Sequence, residues 1–239
     1  MNHVVLERWS RGSSFLHRRD ARAKILALLF FLVMVAISSR EFELLAVAYL
    51  AMLLAAVAAA RLPLLGTLRR AAVVLPFSLT FAGLCWISGE PRRAALLVEK
   101  SYLSALAALL LVATTPLPQL LRGLDMLGVP GFLLMVAQFL YRYLFVITGQ
   151  AHRMRLAGLC RGGWKRGGRG FRAAAGALGV LFARSYERAE SIHRAMVSRG
   201  FQGHFGLLST TRFVLADAAF LCVAAALPLA AFLSVRIWS

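Results

Sequence analysis

The fold class predicted for this sequence is an all-α, polytopic membrane protein with about five to seven membrane helices, and three observations predict it. The first is composition. Hydrophobic residues make up 60% of the 239 positions and mean hydropathy is +0.72, whereas soluble domains are roughly 45–50% apolar even with glycine counted. A chain of this length folded in water has no interior large enough to hide so much apolar surface. The second is patterning. The apolar residues come in long blocks separated by short charged turns, without the alternation of a barrel strand, so the backbone in lipid must be helical. The third is charge: 28 Lys+Arg against 10 Asp+Glu, a net +18. Nucleic-acid binders can be this basic, but they are not also this apolar. A protein of the bilayer can be both, because its cytoplasmic loops collect Lys and Arg.

Taken in order, residues 1–24 form a basic segment, with Arg8, Arg11, Arg18, Arg19, Arg22 and Lys24 against Glu7 and Asp20, predicted to be cytoplasmic. A basic run before an apolar one is also the layout of a signal peptide, and Arg18-Arg19 would suit twin-arginine export. Further apolar spans follow, however, and no small-residue cleavage site is clear. Membrane helices are expected over 25–148. Ile25–Ile37 and Leu44–Ala60 read as a tight hairpin, followed by a basic link from Arg61 to Arg70. Ala71–Ser88 is interrupted by Pro76 and Gly83, and Ala94–Thr115 carries Glu99 and Lys100. Pro116–Pro130 reads as a short amphipathic segment, and Gly131–Thr148 as a fifth block holding Arg142. A last membrane helix is expected over 212–239, within which Phe213–Val235 is broken only by Asp217 and Pro228.

Region 149–211 differs from all of this. It holds eleven basic residues against Glu187 and Glu190, which the positive-inside rule assigns to the cytoplasm. That assignment creates a parity conflict. Four full spans from an inside N-terminus return inside near residue 116, and a fifth over 131–148 would put the basic region outside. Either Pro116–Pro130 crosses with its neighbours or one of the broken blocks does not span; both remain open from the sequence.

Within the basic region, Phe182, Tyr186, Ala189, Ile192 and Met196 recur at helical spacing and predict an apolar stripe on a helix. Arg184, Glu187, Arg188, Glu190 and Arg194 occupy other faces, Glu190 and Arg194 as an i,i+4 pair in the favourable order. A second basic helix, containing Arg155, is expected over Gly149–Gly163, with the glycine-rich stretch Gly162–Arg172 as a flexible link. The two helices end alike: Cys160-Arg161-Gly162 and Ser198-Arg199-Gly200. A glycine there closes a helix in the left-handed conformation. An arginine at a helix tip can also bind a partner's carboxylate through two parallel hydrogen bonds. The same construction twice in 40 residues suggests two matched plugs for two similar sockets.

Other chemistry finds little support. Cys85, Cys160 and Cys222 are scattered, five histidines form no HxxxH, and none of the three lysines sits in a phosphate-binding loop. Glu99, Lys100, Arg142 and Asp217 share no spacing that would make a catalytic or metal site. A membrane-embedded enzyme is therefore the weaker alternative, and no cofactor or catalytic residue is expected.

Arg184–Phe201 (RSYERAESIHRAMVSRGF) resembles the signature of the T components of energy-coupling factor (ECF) transporters, in the CbiQ branch. Phe15–Leu29, Thr115–Pro130 and Phe139–Met154 agree with the same family in collinear order. The resemblance implies an integral membrane scaffold of a prokaryotic inner membrane, with its N-terminus and 149–211 cytoplasmic. Two helical coupling segments would dock two ATP-binding-cassette ATPase subunits, and the membrane part would hold a substrate-binding S component. Arg161 and Arg199 would be the docking arginines, with Gly162 and Gly200 at the helix ends. Cys160 and Ser198 stand where the family pattern has alanine. Arg155, Arg184, Glu187, Arg188, Glu190 and Arg194 would support the coupling helices. Cobalt is the implied cargo, with nickel or a vitamin as alternatives.

Overall fold

The computed structural model describes residues 9, 12, 14–38, 42–162, 168–203 and 214–238. Arg8, Arg11, Gly163, the middle of the glycine-rich link and the turn at 39–41 lie outside the described residues. Among those described there are eight helices and no strand. In chain order they are α1 (Ala21–Ile37), α2 (Phe42–Ala59), α3 (Leu64–Ile87), α4 (Pro91–Thr114), α5 (Leu117–Met126), α6 (Gly131–Cys160), α7 (Gly168–Val197) and α8 (Leu215–Trp238). The protein is thus an all-α membrane protein. By length and composition α3, α4, α6 and α8 can cross a bilayer, whose apolar core needs about 20 helical residues; α1 and α2 are shorter, at 17 and 18 residues.

The chain divides into two compact units, Met1–Leu127 with Thr210–Ser239, and Gly128–Ser209. In the first, α4 and α1 pack together and are joined by α2 and α8. Phe31, Val35, Tyr49, Leu53, Leu103 and Leu106 form the main buried cluster, in which the Phe31 and Tyr49 rings meet edge to face at 5.4 Å. Large apolar side chains such as Leu65, Phe77, Trp86 and Ile87 point outward, the inverse of a soluble fold and the surface a lipid solvent accepts.

Several boundaries differ from the sequence reading. The basic link before the third block is helical from Leu64, so Arg69 and Arg70 belong to α3. Pro76 does not break it. A single 3₁₀ turn over Ala72–Val74 resets the ladder, and the proline then falls in the first turn of the following α-helical stretch, where its missing N–H is not needed. The expected break between 148 and 149 is absent, because α6 runs through it for 30 residues. The expected flexible link Gly162–Arg172 is shorter too, since the helix of α7 begins at Gly168. Pro116–Pro130 does contain a short helix, α5, of 10 residues. Its Gly123 comes so close to α1 that an added Cβ would lie 3.0 Å from that of Ala21.

The helix ends of the first unit meet in a polar knot. Asp20 caps α1 by accepting from the Arg22 amide at 3.0 Å. Asp217, 6% exposed, accepts from the amides of Asp20 and Val214, each at 3.3 Å, and faces the Arg19 guanidinium at 3.8 Å. Arg22 also reaches the sulfur of Met126. Lys24 donates to the Thr114 carbonyl at 3.1 Å and the Thr115 hydroxyl at 3.2 Å, at the C-terminal end of α4. At the other end Lys100 of α4 donates to the Ala36 carbonyl of α1 at 3.1 Å. Each of these antiparallel helices therefore puts a lysine on the other's last carbonyls, where the helix dipole favours positive charge.

Candidate functional site

The second unit is built from α6 and α7, which pack against each other. Each has 30 residues, a rod of about 45 Å. Continuity of α6 past Gly149 follows from its sequence. Gln150, Ala151, Arg153, Met154, Arg155 and Leu156 are strong helix formers, and polarity does not end a helix.

On α7 the half-buried positions among those described are Gly170, Ala173, Ala174, Ala177, Leu181, Ser185, Ile192 and Met196. All five residues of the expected apolar stripe lie on α7, and they differ in burial along it. Phe182 and Tyr186 are 74% and 67% exposed, and Ala189 is exposed with them. Glu190 and Arg194 form the expected ion pair, at 3.6 Å on an exposed face. Arg155, Arg184, Glu187 and Arg188 are exposed as well.

The two C-termini share one design. At the end of α6, the Arg161 amide bonds the Ala157 carbonyl at 3.2 Å and the Gly162 amide bonds Leu159 at 3.0 Å. At the end of α7, the Gly200 amide bonds Val197 and the Phe201 amide reaches back to Met196, both at 3.0 Å. That second pair is a full Schellman closure. In each case the arginine is the capping residue and the glycine after it has a positive φ, +68° at Gly162 and +81° at Gly200. A Cβ at either glycine would meet nothing within 4 Å, so the requirement for glycine is conformational and not one of space. Gly200→Val is accordingly expected to cost about 1–2 kcal/mol locally. It should speed hydrogen exchange of the Gly200 and Phe201 amides about tenfold, leaving protection in the first unit unchanged.

Cys160, Arg161, Gly162, Ser198, Arg199 and Gly200 are all exposed. The hydroxyl of Ser198 is turned back onto its own helix, donating to the Ala195 carbonyl at 3.0 Å. Among the described residues neither the Arg161 nor the Arg199 guanidinium meets a carboxylate. The structure brings each triplet together at its own helix end. The four charged side chains over Arg184–Glu190 lie toward the middle and later part of α7, back from its tip.

Elsewhere, no three His, Cys, Asp or Glu side chains converge among the described residues. Lys100 reaches the last turn of α1, and Asp217 lies in the knot. The sequence reading left Lys24 in the polar tail. One signal was available: only Lys24, Lys100 and Lys165 interrupt an otherwise all-arginine set of basic residues, and the first two serve helix ends.

These features define a helical membrane protein with two arginine-capped rods in one compact unit. The family model described as cobalt transport protein, CbiQ, matches residues 12–210, and the chain belongs to that family, a family of transport components. A cobalt transport protein CbiQ of Rhodobacter capsulatus is 32% identical over 153 residues, 64% of this chain and 62% of that protein. An uncharacterized protein, MJ1571, of Methanocaldococcus jannaschii is 25% identical over 92% of this chain and 82% of its own length. A putative fused cobalt transport protein CbiMQ of Methanocorpusculum labreanum is 31% identical over 48% of this chain and 19% of its own length. The match thus spans less than two thirds of the Rhodobacter and Methanocorpusculum proteins.

Proposed function

We propose that this chain is the energy-coupling T subunit of an ECF-type importer, with cobalt as the cargo. Arg161 and Arg199 each engage an acidic socket on one of two ATP-binding-cassette ATPase subunits, and the membrane unit holds the S component that binds the ion. The observation that carries this reading is the duplicated tip: two 30-residue helices that end in a small residue, an open arginine and a left-handed glycine. Nucleotide-driven closure of two ATPases is a rigid-body motion, and rods held at their tips transmit such motion as levers. A buried contact between arginine and carboxylate is strong and directional, which suits a joint that must bear load.

The polar knot supports a common side for both tips. It joins the first turn of α1, the last turn of α4, the packed face of α5 and the first turn of α8. The segment between α5 and α8 therefore leaves and re-enters at one face, and must cross the bilayer an even number of times. With its Arg and Glu residues α7 is not a candidate span, so α6 does not cross alone despite its apolar composition. On this reading α1–α4 and α8 make five crossings, the N-terminus and both tips are cytoplasmic, and the parity conflict disappears.

Cys160 offers a direct test, because it is exposed beside Arg161. A membrane-impermeant maleimide is expected to label it in inverted vesicles and not in intact cells. Bound ATPase subunits should slow that labelling about tenfold or more. Labelling of Cys160 from outside intact cells would sink the assignment.

A further inference from the structure

A groove of about 520 Å³ opens between α1, α2, α4 and α8 in the membrane unit. Its two ends differ. Lys24, Thr114 and Ala59 lie at one end, and Phe31, Met52 and Leu227 at the other. Along each helix the lining covers about 10 Å of rise, less than one leaflet of a core about 30 Å thick. The polar end is the face where α1 begins and α4 ends.

Charge marks that end. Lys24 is 6% exposed, and among the described residues its ammonium donates to neutral acceptors: the Thr114 carbonyl, the Thr115 hydroxyl and, at 3.5 Å, the His17 carbonyl. Around it, Arg19 and Arg22 face Asp217 and Asp20. Over these five groups three cations face two carboxylates, which leaves one positive charge over; Lys24 feels the field of both Asp20 and Asp217 without an ion-pair contact to either among the described residues, and it is the cation that lines the groove.

We propose that this groove holds one acyl chain of an anionic phospholipid, with the headgroup over Lys24. A groove with a lysine at one end and about 10 Å of apolar lining beyond it suits an acyl chain anchored at that end by its headgroup. A partner's transmembrane helix, about 10–12 Å across and about 20 residues long, would need a groove through both leaflets. The proposal is independent of the docking of ATPases, since no residue of the helix tips takes part.

The full chain in nanodiscs, with traces of phosphatidylglycerol or phosphatidylcholine spin-labelled on one acyl chain, tests it by electron paramagnetic resonance. The expected result is an immobilised component of about one lipid per chain. It should favour phosphatidylglycerol about fivefold, the factor one basic residue supplies at an anionic surface, and this preference should fall with added salt. Ala56→Phe and Ala224→Phe, which fill the groove, should remove the component. Lys24→Gln should retain it and abolish the headgroup preference; if that variant does not fold, the salt dependence of the wild type carries the charge test. Absence of the component in the wild type, or equal uptake of both lipids, would overturn the proposal. So would its loss when the partner subunits are added, which would assign the groove to a protein helix.

Discussion

On the proposed docking role, a chain carrying both Arg161→Ala and Arg199→Ala is expected to reach the membrane in normal amount and to lose co-purifying ATPase subunits. Both side chains are exposed at helix ends, and neither makes an ion pair among the described residues. Removing them takes nothing from the fold, so expression and thermal stability of the isolated chain should not change. In a complex each guanidinium would be buried against a partner carboxylate. Cutting one side of such a pair costs about 2–5 kcal/mol, largely because the other charge is stranded. One substitution should weaken its own joint on the order of a hundredfold. Two should abolish co-purification and ATP-driven uptake together. The capping role predicts something different. If these arginines only complement the helix dipole, each contributes about 0.3–1 kcal/mol, and the double variant would lose a little helix stability and no partner. Arg→Lys separates the two further, because lysine keeps the dipole interaction and loses the two-pronged hydrogen bonding. Full uptake by the double alanine variant would end the docking assignment.

How far the sequence speaks for the structure depends on the kind of signal. The helix ends at Arg161-Gly162 and Arg199-Gly200 were legible because glycine after a helical run has one strong use, and both adopt the expected positive φ. The pair Glu190–Arg194 was legible because it is local. The extent of α6 was not. The change from Thr148 to the basic stretch is a change of surroundings, whereas the backbone sees only residues that all tolerate a helix. The exposed rings of Phe182 and Tyr186 show a second limit. Periodicity finds an apolar stripe but not how deeply each part of it is buried: Ala174 and Ala177 of α7 are half-buried, whereas the larger Phe182 and Tyr186 are exposed. The polar knot was least legible. Lys24 meets Thr114 across 90 positions and Asp217 meets Asp20 across 197, and nothing local records such meetings.

Asp217→Ala is the substitution expected to damage the membrane unit most. The carboxylate sits on the first turn of α8, where the helix dipole favours a negative charge. One oxygen accepts from the amide of Val214, the residue just before its own helix, and the other from the Asp20 amide at the start of α1, with Arg19 alongside. Alanine would leave two amides and a guanidinium without their acceptor in a site that is 6% exposed. The penalty should be about 3 kcal/mol. In a thermal scan of the detergent-purified chain that corresponds to a fall in midpoint of about 6–12 °C. Asp217→Asn keeps an acceptor oxygen and loses the charge, so it should fall between the two. Removing the facing charge tests the cause. Arg19→Ala in the Asp217→Ala background should cost less than in the wild type, because the stranded cation is already without its partner. Simple additivity of the two would mean that Arg19 and Asp217 act separately and that the knot does not fasten α8 to α1.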